Sequence, residues 1–422
     1  MTQATTMHLA SPLTLPNGTV LRNRIAKAAM SEVLAGTHDG TPTEALVNLY
    51  RRWAKSGAGL LLTGNVMVSH DARGELAQVV VEDERHLDML RTWASAAQSE
   101  GAALFMQINH SGRQAPRSVT RDPVAPSAVA MKLGPFFKTP RALEDGEIRA
   151  IIRRFAVTAR VAKLAGFAGV QIHAAHGYLV SQFLSPLSNM RDDEWGGDPE
   201  RRMRFLLEIV RAIRAEVGPS FPIAVKLNSA DFQRGGFGEE ESMNVVRALE
   251  KEGIDLLEIS GGNYESPAMM HGKKKASTKA REAFFLEYAE KVRALTKLPL
   301  LLTGGMRTAA TMEKVIASGA VDMVGIGRPL TLEPDLPARL LDGRATAARE
   351  VDVRIGVSML DALLQTMFSQ EQLARMGRGL DPDLGISRLR VLFFGIIHGY
   401  FYNPFRTMRR PAPALSAPSE ST

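Results

Sequence analysis

Eight short apolar segments recur along the chain and predict buried β-strands. Most of them are continuously apolar rather than alternating, which is typical of strands covered on both faces. Between them lie stretches with apolar residues at helical spacing, several of which end just before a glycine, as helices often do. The predicted strands are Arg24–Met30, Gly59–Gly64, Ala103–Asn109, Gly169–His173, Ile223–Asn228, Leu256–Ser260, Leu300–Gly304 and Met323–Gly327.

The repeated strand–helix order predicts an α/β protein with a closed (β/α)₈ TIM barrel. A doubly wound sheet is the alternative, but it usually needs fewer strands, and no G-x-G-x-x-G follows the first strand. We expect the barrel at residues 1–348, a helical C-terminal extension at 349–410 and a disordered tail at 411–422. The turn signal Pro16-Asn17-Gly18 predicts a hairpin before the first strand.

Composition narrows the classes of function. The chain of 422 residues has no cysteine, which excludes disulfides, thiolate metal sites, cysteine nucleophiles and iron–sulfur clusters. Its net charge of +7 is spread along the sequence without a nucleic-acid motif, so we expect no nucleic-acid partner. The charge is compatible with anionic small molecules but does not by itself indicate them. No apolar run approaches the roughly 20 residues that span a bilayer, and we expect a cytoplasmic protein.

The C-terminal segment leaves several partners open. Ile386–Phe401 is strongly apolar and has arginines on both sides, which fits a helix packed on the barrel, a contact with a second subunit, or a peripheral membrane anchor. Gly395 and Gly399 weaken an isolated surface helix, so we expect packing rather than membrane binding. A homo-oligomer is compatible with this pattern.

The end of the fourth strand carries the most specific chemistry. In a (β/α)₈ barrel the active site lies at the C-terminal strand ends, and here His173, His176 and Tyr178 follow an apolar strand. Two imidazoles can hold a substrate oxygen while a phenol delivers a proton nearby. A metal site is an alternative, but no third ligand lies close in the sequence. Histidines that only complete the core are the other alternative.

Other strand ends suggest an anionic, heterocyclic ligand. Thr303-Gly304-Gly305 and Gly327-Arg328 place glycines and a cation at adjacent strand ends, which predicts a phosphate site, although tight turns alone could require these glycines. Gln107 and Lys226 end otherwise apolar strands. A carboxamide and a cation at these positions suit a ring bearing carbonyls and nitrogens, and the alternative for Lys226 is an ion pair at the barrel rim.

Together these segments resemble the old yellow enzyme family of FMN-dependent NAD(P)H:flavin oxidoreductases and ene-reductases. The resemblance covers roughly Leu9–Leu341. It rests on several stretches rather than one, namely H-A-A-H-G-Y-L at His173–Leu179, Gln182–Pro186, Trp195–Arg202, Gln107–Gln114 and Gly325–Arg328.

The resemblance implies FMN as cofactor and NADH or NADPH as hydride donor. The substrate would be an α,β-unsaturated carbonyl or nitro compound, reduced at its activated C=C bond by a ping-pong route. His173 and His176 would bind the substrate oxygen, and Tyr178 would protonate the α carbon after hydride reaches the β carbon. The implied flavin contacts are Ala28, Ala29, Met30, Ser31, Gly64, Gln107 and Lys226, and the implied phosphate contacts are Thr303, Gly304, Gly305, Gly327 and Arg328.

The chain departs from the family pattern at three positions. Ala29 stands where many relatives have proline, Lys226 replaces an arginine and so loses bidentate geometry, and Ser31 stands where some relatives have a redox-tuning cysteine. The absence of cysteine also excludes the larger iron–sulfur relatives. Two other functions remain open: a phosphate-binding barrel lyase or aldolase with Lys226 as Schiff base, and a flavin-binding protein without physiological turnover.

Overall fold

The computed structural model describes residues 8–262, 286–349, 358–387 and 389–391. Eight parallel strands form a closed ring, which confirms the predicted (β/α)₈ barrel. The ring closes where Val324 pairs with Ile25. We number the strands β1 (Ile25–Lys27), β2 (Leu60–Leu62), β3 (Ala103–Asn109), β4 (Gly169–Ala174), β5 (Ile223–Asn228), β6 (Leu256–Ser260), β7 (Leu300–Thr303) and β8 (Met323–Ile326).

Helices follow the strands around the outside of the barrel. They are α1 (Glu44–Ala54), α2 (Leu87–Gln98), α3 (Asp145–Leu164), α4 (Pro199–Val217), α5 (Glu239–Lys251), α6 (286–293), α7 (Ala309–Ala317), α8 (Leu336–Leu341) and a C-terminal helix α9 (Ser358–Gly377). Helix α4 shows why they begin and end there. Asp198 accepts a hydrogen bond from the Arg201 N–H, Pro199 occupies the first turn, and Gly218 ends the helix with a φ of 75°.

The first two strands are shorter than the apolar pattern predicts. The apolar pattern predicts β1 over Arg24–Met30, but the strand covers only Ile25–Lys27. The Ala28 N–H still donates to the Ile326 carbonyl, after which Ala29–Ser31 leave the ladder and line the cavity described below. The pattern alone cannot separate a residue that is apolar because it pairs in a sheet from one that is apolar because it faces a ligand cavity.

The barrel interior is apolar at one end and polar at the other. Apolar side chains such as Ala26, Leu62 and Phe105 form an inner cluster, which Leu15 and Leu21 of the N-terminal hairpin extend. That hairpin, predicted from its turn, pairs Leu13–Thr14 with Val20–Leu21. Toward the C-terminal strand ends, apolar side chains give way to buried polar and charged ones, which form the functional site.

Helix α9 packs beside α1 on the outside of the barrel. Gly377 lies so close to α1 that a Cβ there would approach the Ala45 carbonyl oxygen to 2.7 Å. Along the described ranges, none of the helices is both long and apolar enough to cross a membrane. The predicted disordered tail at 411–422 and most of the apolar segment Ile386–Phe401 lie outside the described residues, so the predictions made for them remain predictions.

Candidate active site

A cavity of about 290 Å³ opens at the C-terminal ends of the strands, where a barrel enzyme has its active site. Most of the predicted site residues line it, although they come from different strands. The predicted residues in its wall are Ala29, Met30, Ser31, Gln107, His173, His176, Tyr178, Lys226 and Arg328.

The three residues from the end of β4 form one cluster in this wall. The ring of His173 lies between the other two, with centroid distances of 5.0 Å to His176 and 4.8 Å to Tyr178. His176 adopts a φ of 61°, which is uncommon for a residue other than glycine. Its Nε2 lies 2.7 Å from Ser260 Oγ, and its N–H donates to Asn228 Oδ1. Contacts from β5 and β6 therefore hold this left-handed turn.

Both histidines are neutral in this setting. Burial is the main cause that holds the pKa of His173 well below its usual value, and the nearby His176 and Lys226 act in the same direction. Burial followed by Lys226 lowers the pKa of His176 as well. The Ala175 N–H donates to His173 Nδ1, which places the proton of the neutral ring on Nε2. His173 can thus donate a hydrogen bond to a ligand oxygen without carrying a charge.

Tyr178 is buried and has a polar neighbour that the sequence did not assign to the site. Asn65, just beyond β2, donates from Nδ2 to the Tyr178 hydroxyl oxygen at 3.3 Å. A phenol oxygen that accepts a hydrogen bond carries the negative charge of proton loss more easily. Asn65 also lines the cavity, so the pair is positioned to act on a bound molecule.

A chain of buried hydrogen bonds crosses the barrel beneath the cavity. Gln107 Nε2 donates to Gln171 Oε1 at 2.7 Å, and Gln171 Nε2 donates to Glu258 Oε2 at 2.7 Å. Lys226 Nζ then donates to Glu258 Oε1 at 2.8 Å. The strand register explains the first and last of these contacts, because Gln107 pairs with Gln171 and Lys226 pairs with Glu258 in neighbouring strands. These hydrogen bonds fix the positions of the two polar groups, Gln107 and Lys226, that face the cavity.

A second buried lysine supports the wall from behind. Lys27 Nζ donates to the Leu62 carbonyl at 2.6 Å and lies 4.3 Å from the centre of the Trp53 ring. Burial lowers the pKa of Lys27 to about 8, although Glu32 and Glu258 oppose the shift. This lysine ties the end of β1 to the end of β2, directly before the residues Ala29–Ser31 that line the cavity.

Other predicted flavin contacts lie near the cavity without forming its wall. The Gly64 N–H donates to Glu32 Oε1, and a Cβ at Gly64 would approach the Met30 carbonyl oxygen to 2.3 Å. Gly64 is therefore needed where two cavity-forming segments meet. Ala28 lies one residue before the wall, at the end of the β1 ladder.

The loops after β7 and β8 fit a phosphate group. Gly304 and Gly305 both have positive φ, 130° and 74°, which bare backbone allows. The buried Thr303 Oγ1 has no hydrogen-bond partner within the described ranges, so a donor or acceptor is available there. Gly327 precedes Arg328, whose side chain reaches the cavity and supplies positive charge. These residues, with the cationic Lys226 and the amide of Gln107, fit FMN.

Several wall residues were not assigned from the sequence. They are Asn65, Glu75, Gly261, Gly262, Thr331 and four residues of α9, namely Thr366, Ser369, Gln370 and Leu373. Glu258 was also missed, although a carboxylate inside the run Leu-Leu-Glu-Ile-Ser is a recognisable signal of a buried polar network. No local pattern could have placed α9 at the cavity, because that contact depends on how the chain returns to the barrel. Among the described residues, no three His, Asp or Glu side chains are grouped as metal ligands would be.

The closed parallel barrel, with its cavity at the C-terminal strand ends, places the protein in the class of barrel enzymes. The sequence matches the NADH:flavin oxidoreductase / NADH oxidase family over residues 8–347, and the chain belongs to that family. It is an oxidoreductase of the old yellow enzyme type, with FMN as the flavin and with NADH- and NADPH-dependent relatives. This confirms the predicted family and cofactor.

Individual relatives support the assignment. A NADH-dependent flavin oxidoreductase, iliE of Hypocrea jecorina, is 38% identical over 362 residues, which are 79% of this chain and 89% of that protein. An old yellow enzyme homologue from Zymomonas mobilis superposes with a TM-score of 0.69 at 26% identity, covering 82% of this chain and 94% of its own. A 2-naphthoyl-CoA reductase complex superposes with a TM-score of 0.77 at 28% identity and covers 87% of this chain, which spans only 58% of that one.

Proposed function

We propose that this oxidoreductase reduces the activated C=C bond of an α,β-unsaturated carbonyl or nitro compound, with hydride from NADH or NADPH, by a ping-pong route. The observation that carries the proposal is the cluster of His173, His176 and Tyr178 in one wall of the cavity. Its geometry suits a substrate that has an oxygen to be held and a nearby carbon to be protonated.

The histidine pair would bind and polarise the substrate. His173 Nε2 donates to the carbonyl or nitro oxygen, and Ser260 bonds one nitrogen of His176 and leaves the other for the same oxygen. Donation to that oxygen draws electron density away from the β carbon and makes it more electrophilic. Neutral imidazoles perform this task without placing two buried positive charges beside Lys226.

The remaining residues would bind the cofactor and donate the proton. When bound, FMN supplies the hydride transfer between nicotinamide and acceptor. Lys226 and Gln107 would bind the polar edge of the ring, with Ser31 at its carbonyl, and Arg328 would bind the phosphate. Tyr178 would donate its hydroxyl proton to the α carbon while Asn65 stabilises the oxygen left behind.

The substitution Tyr178→Phe tests this proposal. Removal of the proton donor should slow acceptor reduction by about 10²-fold or more, since general acid catalysis contributes on that scale. Cofactor reduction by NAD(P)H should stay within about twofold, because that half-reaction does not need the α-carbon proton. Stopped-flow absorbance measures both half-reactions separately, with cyclohex-2-enone as acceptor.

A matched control removes a phenol outside the cavity. Tyr288 lies in α6, where it is buried and donates to Ser242 Oγ at 2.7 Å. Tyr288→Phe should therefore leave both half-reactions unchanged. Equal losses in the two half-reactions of Tyr178→Phe would contradict the proton-donor role. Protein that takes up no FMN at all would contradict the whole assignment.

The structure argues against the lyase or aldolase alternative. A Schiff-base lysine needs an uncharged amine with a free lone pair. Lys226 Nζ instead forms an ion pair with Glu258 at 2.8 Å, and both side chains are almost completely buried. This contact already uses the Lys226 amine as a hydrogen-bond donor, which suits charge stabilisation rather than nucleophilic attack.

A further inference from the structure

Helix α9 forms part of the cavity wall although it lies beyond the family match, which ends at residue 347. Thr366, Ser369, Gln370 and Leu373 face the cavity on one side of this helix. Three of the four side chains carry hydrogen-bonding groups. This part of the wall is therefore specified by a segment outside the matched barrel, and it is polar.

Contacts on both sides hold α9 in a defined position. Leu373 and Met376 belong to the apolar cluster that surrounds the barrel, and Gly377 packs against the Ala45 backbone. Gln372 forms two hydrogen bonds with the backbone of Asp383, one from Nε2 at 2.8 Å and one to Oε1 at 2.7 Å. The backbone that carries the cavity-facing side chains of α9 is therefore held in place.

Gln370 is oriented by a short relay of hydrogen bonds. Gln78 Oε1 accepts from the backbone N–H groups of Gly74 and Glu75, so its Nε2 donates to Glu75 Oε2 at 3.1 Å. The other carboxyl oxygen, Glu75 Oε1, accepts from Gln370 Nε2 at 3.4 Å. With its nitrogen engaged, Gln370 presents its Oε1 as the remaining polar atom.

This oxygen is buried and unpaired. Gln370 is 4% exposed, and within the described ranges its Oε1 has no hydrogen-bond partner. A buried carbonyl oxygen without a donor is destabilising, and the great majority of such groups in proteins are paired. Because Gln370 is one of the residues that line the cavity, a rotation of its amide group would bring this oxygen to a donor on a molecule bound there.

We propose that Gln370 Oε1 accepts a hydrogen bond from an O–H or N–H group of the molecule bound in the cavity. Helix α9 would thereby take part in recognising that molecule. The inference rests on the proposed function. An acceptor with a hydroxyl or amide N–H in addition to its activating carbonyl or nitro group would supply this donor. The ribityl hydroxyls of FMN have the same chemistry and are the other source.

The test replaces Gln370 by methionine, which has a similar length and no carbonyl oxygen, and by leucine as a second apolar variant. The control is Gln372→Met, a buried glutamine of the same helix that bonds Asp383 instead. Two quantities are measured for each protein. One is the FMN dissociation constant of the apoprotein from flavin fluorescence, and the other is the ratio of kcat/KM for hydroxy-substituted cyclohex-2-enones over their methyl ethers.

Loss of one buried hydrogen bond should change a dissociation constant or a kcat/KM ratio by about tenfold. A tenfold fall in the hydroxyl preference with unchanged FMN affinity identifies the acceptor as the donor of this bond. A tenfold weaker FMN affinity with an unchanged preference identifies the cofactor. If neither quantity changes in the Gln370 variants, or if Gln372→Met changes them equally, the inference is wrong. Wild-type protein that binds FMN but reduces no enone contradicts the proposed function instead, and the FMN titration still tests Gln370.

Discussion

Lys226 and Glu258 form an ion pair that is almost completely removed from water, with side-chain exposures of 4% and 0%. The attraction between the two charges offsets a desolvation penalty that each would carry alone. Gln171 adds a third group to the pair and links it to Gln107. At the scale of single residues, the cavity is therefore shaped by a satisfied polar network, and removing either Lys226 or Glu258 leaves a buried charge without compensation.

Replacing Glu258 by glutamine should reveal this dependence. The substitution keeps the size of the side chain but leaves the Lys226 charge buried without its counter-ion, so we expect the free energy of unfolding to fall by about 3 kcal/mol. Urea unfolding of the apoprotein measures the change. The exposed pair of Arg91 and Asp88 is the control, and Asp88→Asn should cost less than about 1 kcal/mol. Similar losses in both variants would show that the buried Lys226–Glu258 pair contributes no more to stability than the exposed pair.

At the scale of elements, the unexpected contribution is α9. The apolar pattern predicts a helical C-terminal extension at 349–410 but does not indicate which surface of the barrel it covers. The structure places one face against α1 and another in the cavity wall. The close approach to α1 depends on Gly377, because a side chain there would meet backbone rather than a movable side chain.

Glycine-to-alanine substitutions at two helical sites should therefore have opposite effects. At Gly146, in the first turn of α3, a Cβ meets nothing within 4 Å, so Gly146→Ala should be neutral or stabilise by up to about 1 kcal/mol. At Gly377 the Cβ would lie 2.7 Å from the Ala45 oxygen, and Gly377→Ala should destabilise by about 1–3 kcal/mol. Thermal unfolding of the two variants checks the signs, and a stabilising Gly377→Ala would show that α9 does not pack on α1 this closely.

At the scale of the whole molecule, the barrel and much of its cavity could be predicted from the sequence. Continuously apolar strands and glycine-ended helices report burial and periodicity, which are local properties. The ends of β4 and β5 were informative because a polar side chain such as His173 or Lys226 stands out against an apolar strand. The role of Glu75 and the position of α9 could not be predicted, since they depend on contacts between segments about 300 residues apart.

Burial of neutral histidines has a consequence for the stability of the molecule as a whole. Desolvation lowers the pKa of His110 to about 4, and it holds the pKa values of His173 and His176 well below the usual range. In the unfolded chain each imidazole titrates near 6.5. Between about pH 4 and 6.5 the unfolded state thus binds more protons than the folded state, so the free energy of unfolding must fall as the pH falls.

We expect this free energy to be nearly constant above about pH 7 with respect to these groups and to decrease below 6.5 by about 1 kcal/mol per pH unit for each histidine. Urea unfolding of the apoprotein from pH 5 to 7.5 gives the slope. His110→Asn should lower this slope by about 1 kcal/mol per pH unit, because asparagine can accept the Gly112 N–H bond but does not titrate. The same substitution at the exposed His38, His38→Asn, is measured alongside as the surface comparison. A slope that His110→Asn does not alter would mean that the pKa of His110 is the same in the folded and unfolded protein, and the buried neutral state assigned to it would be wrong.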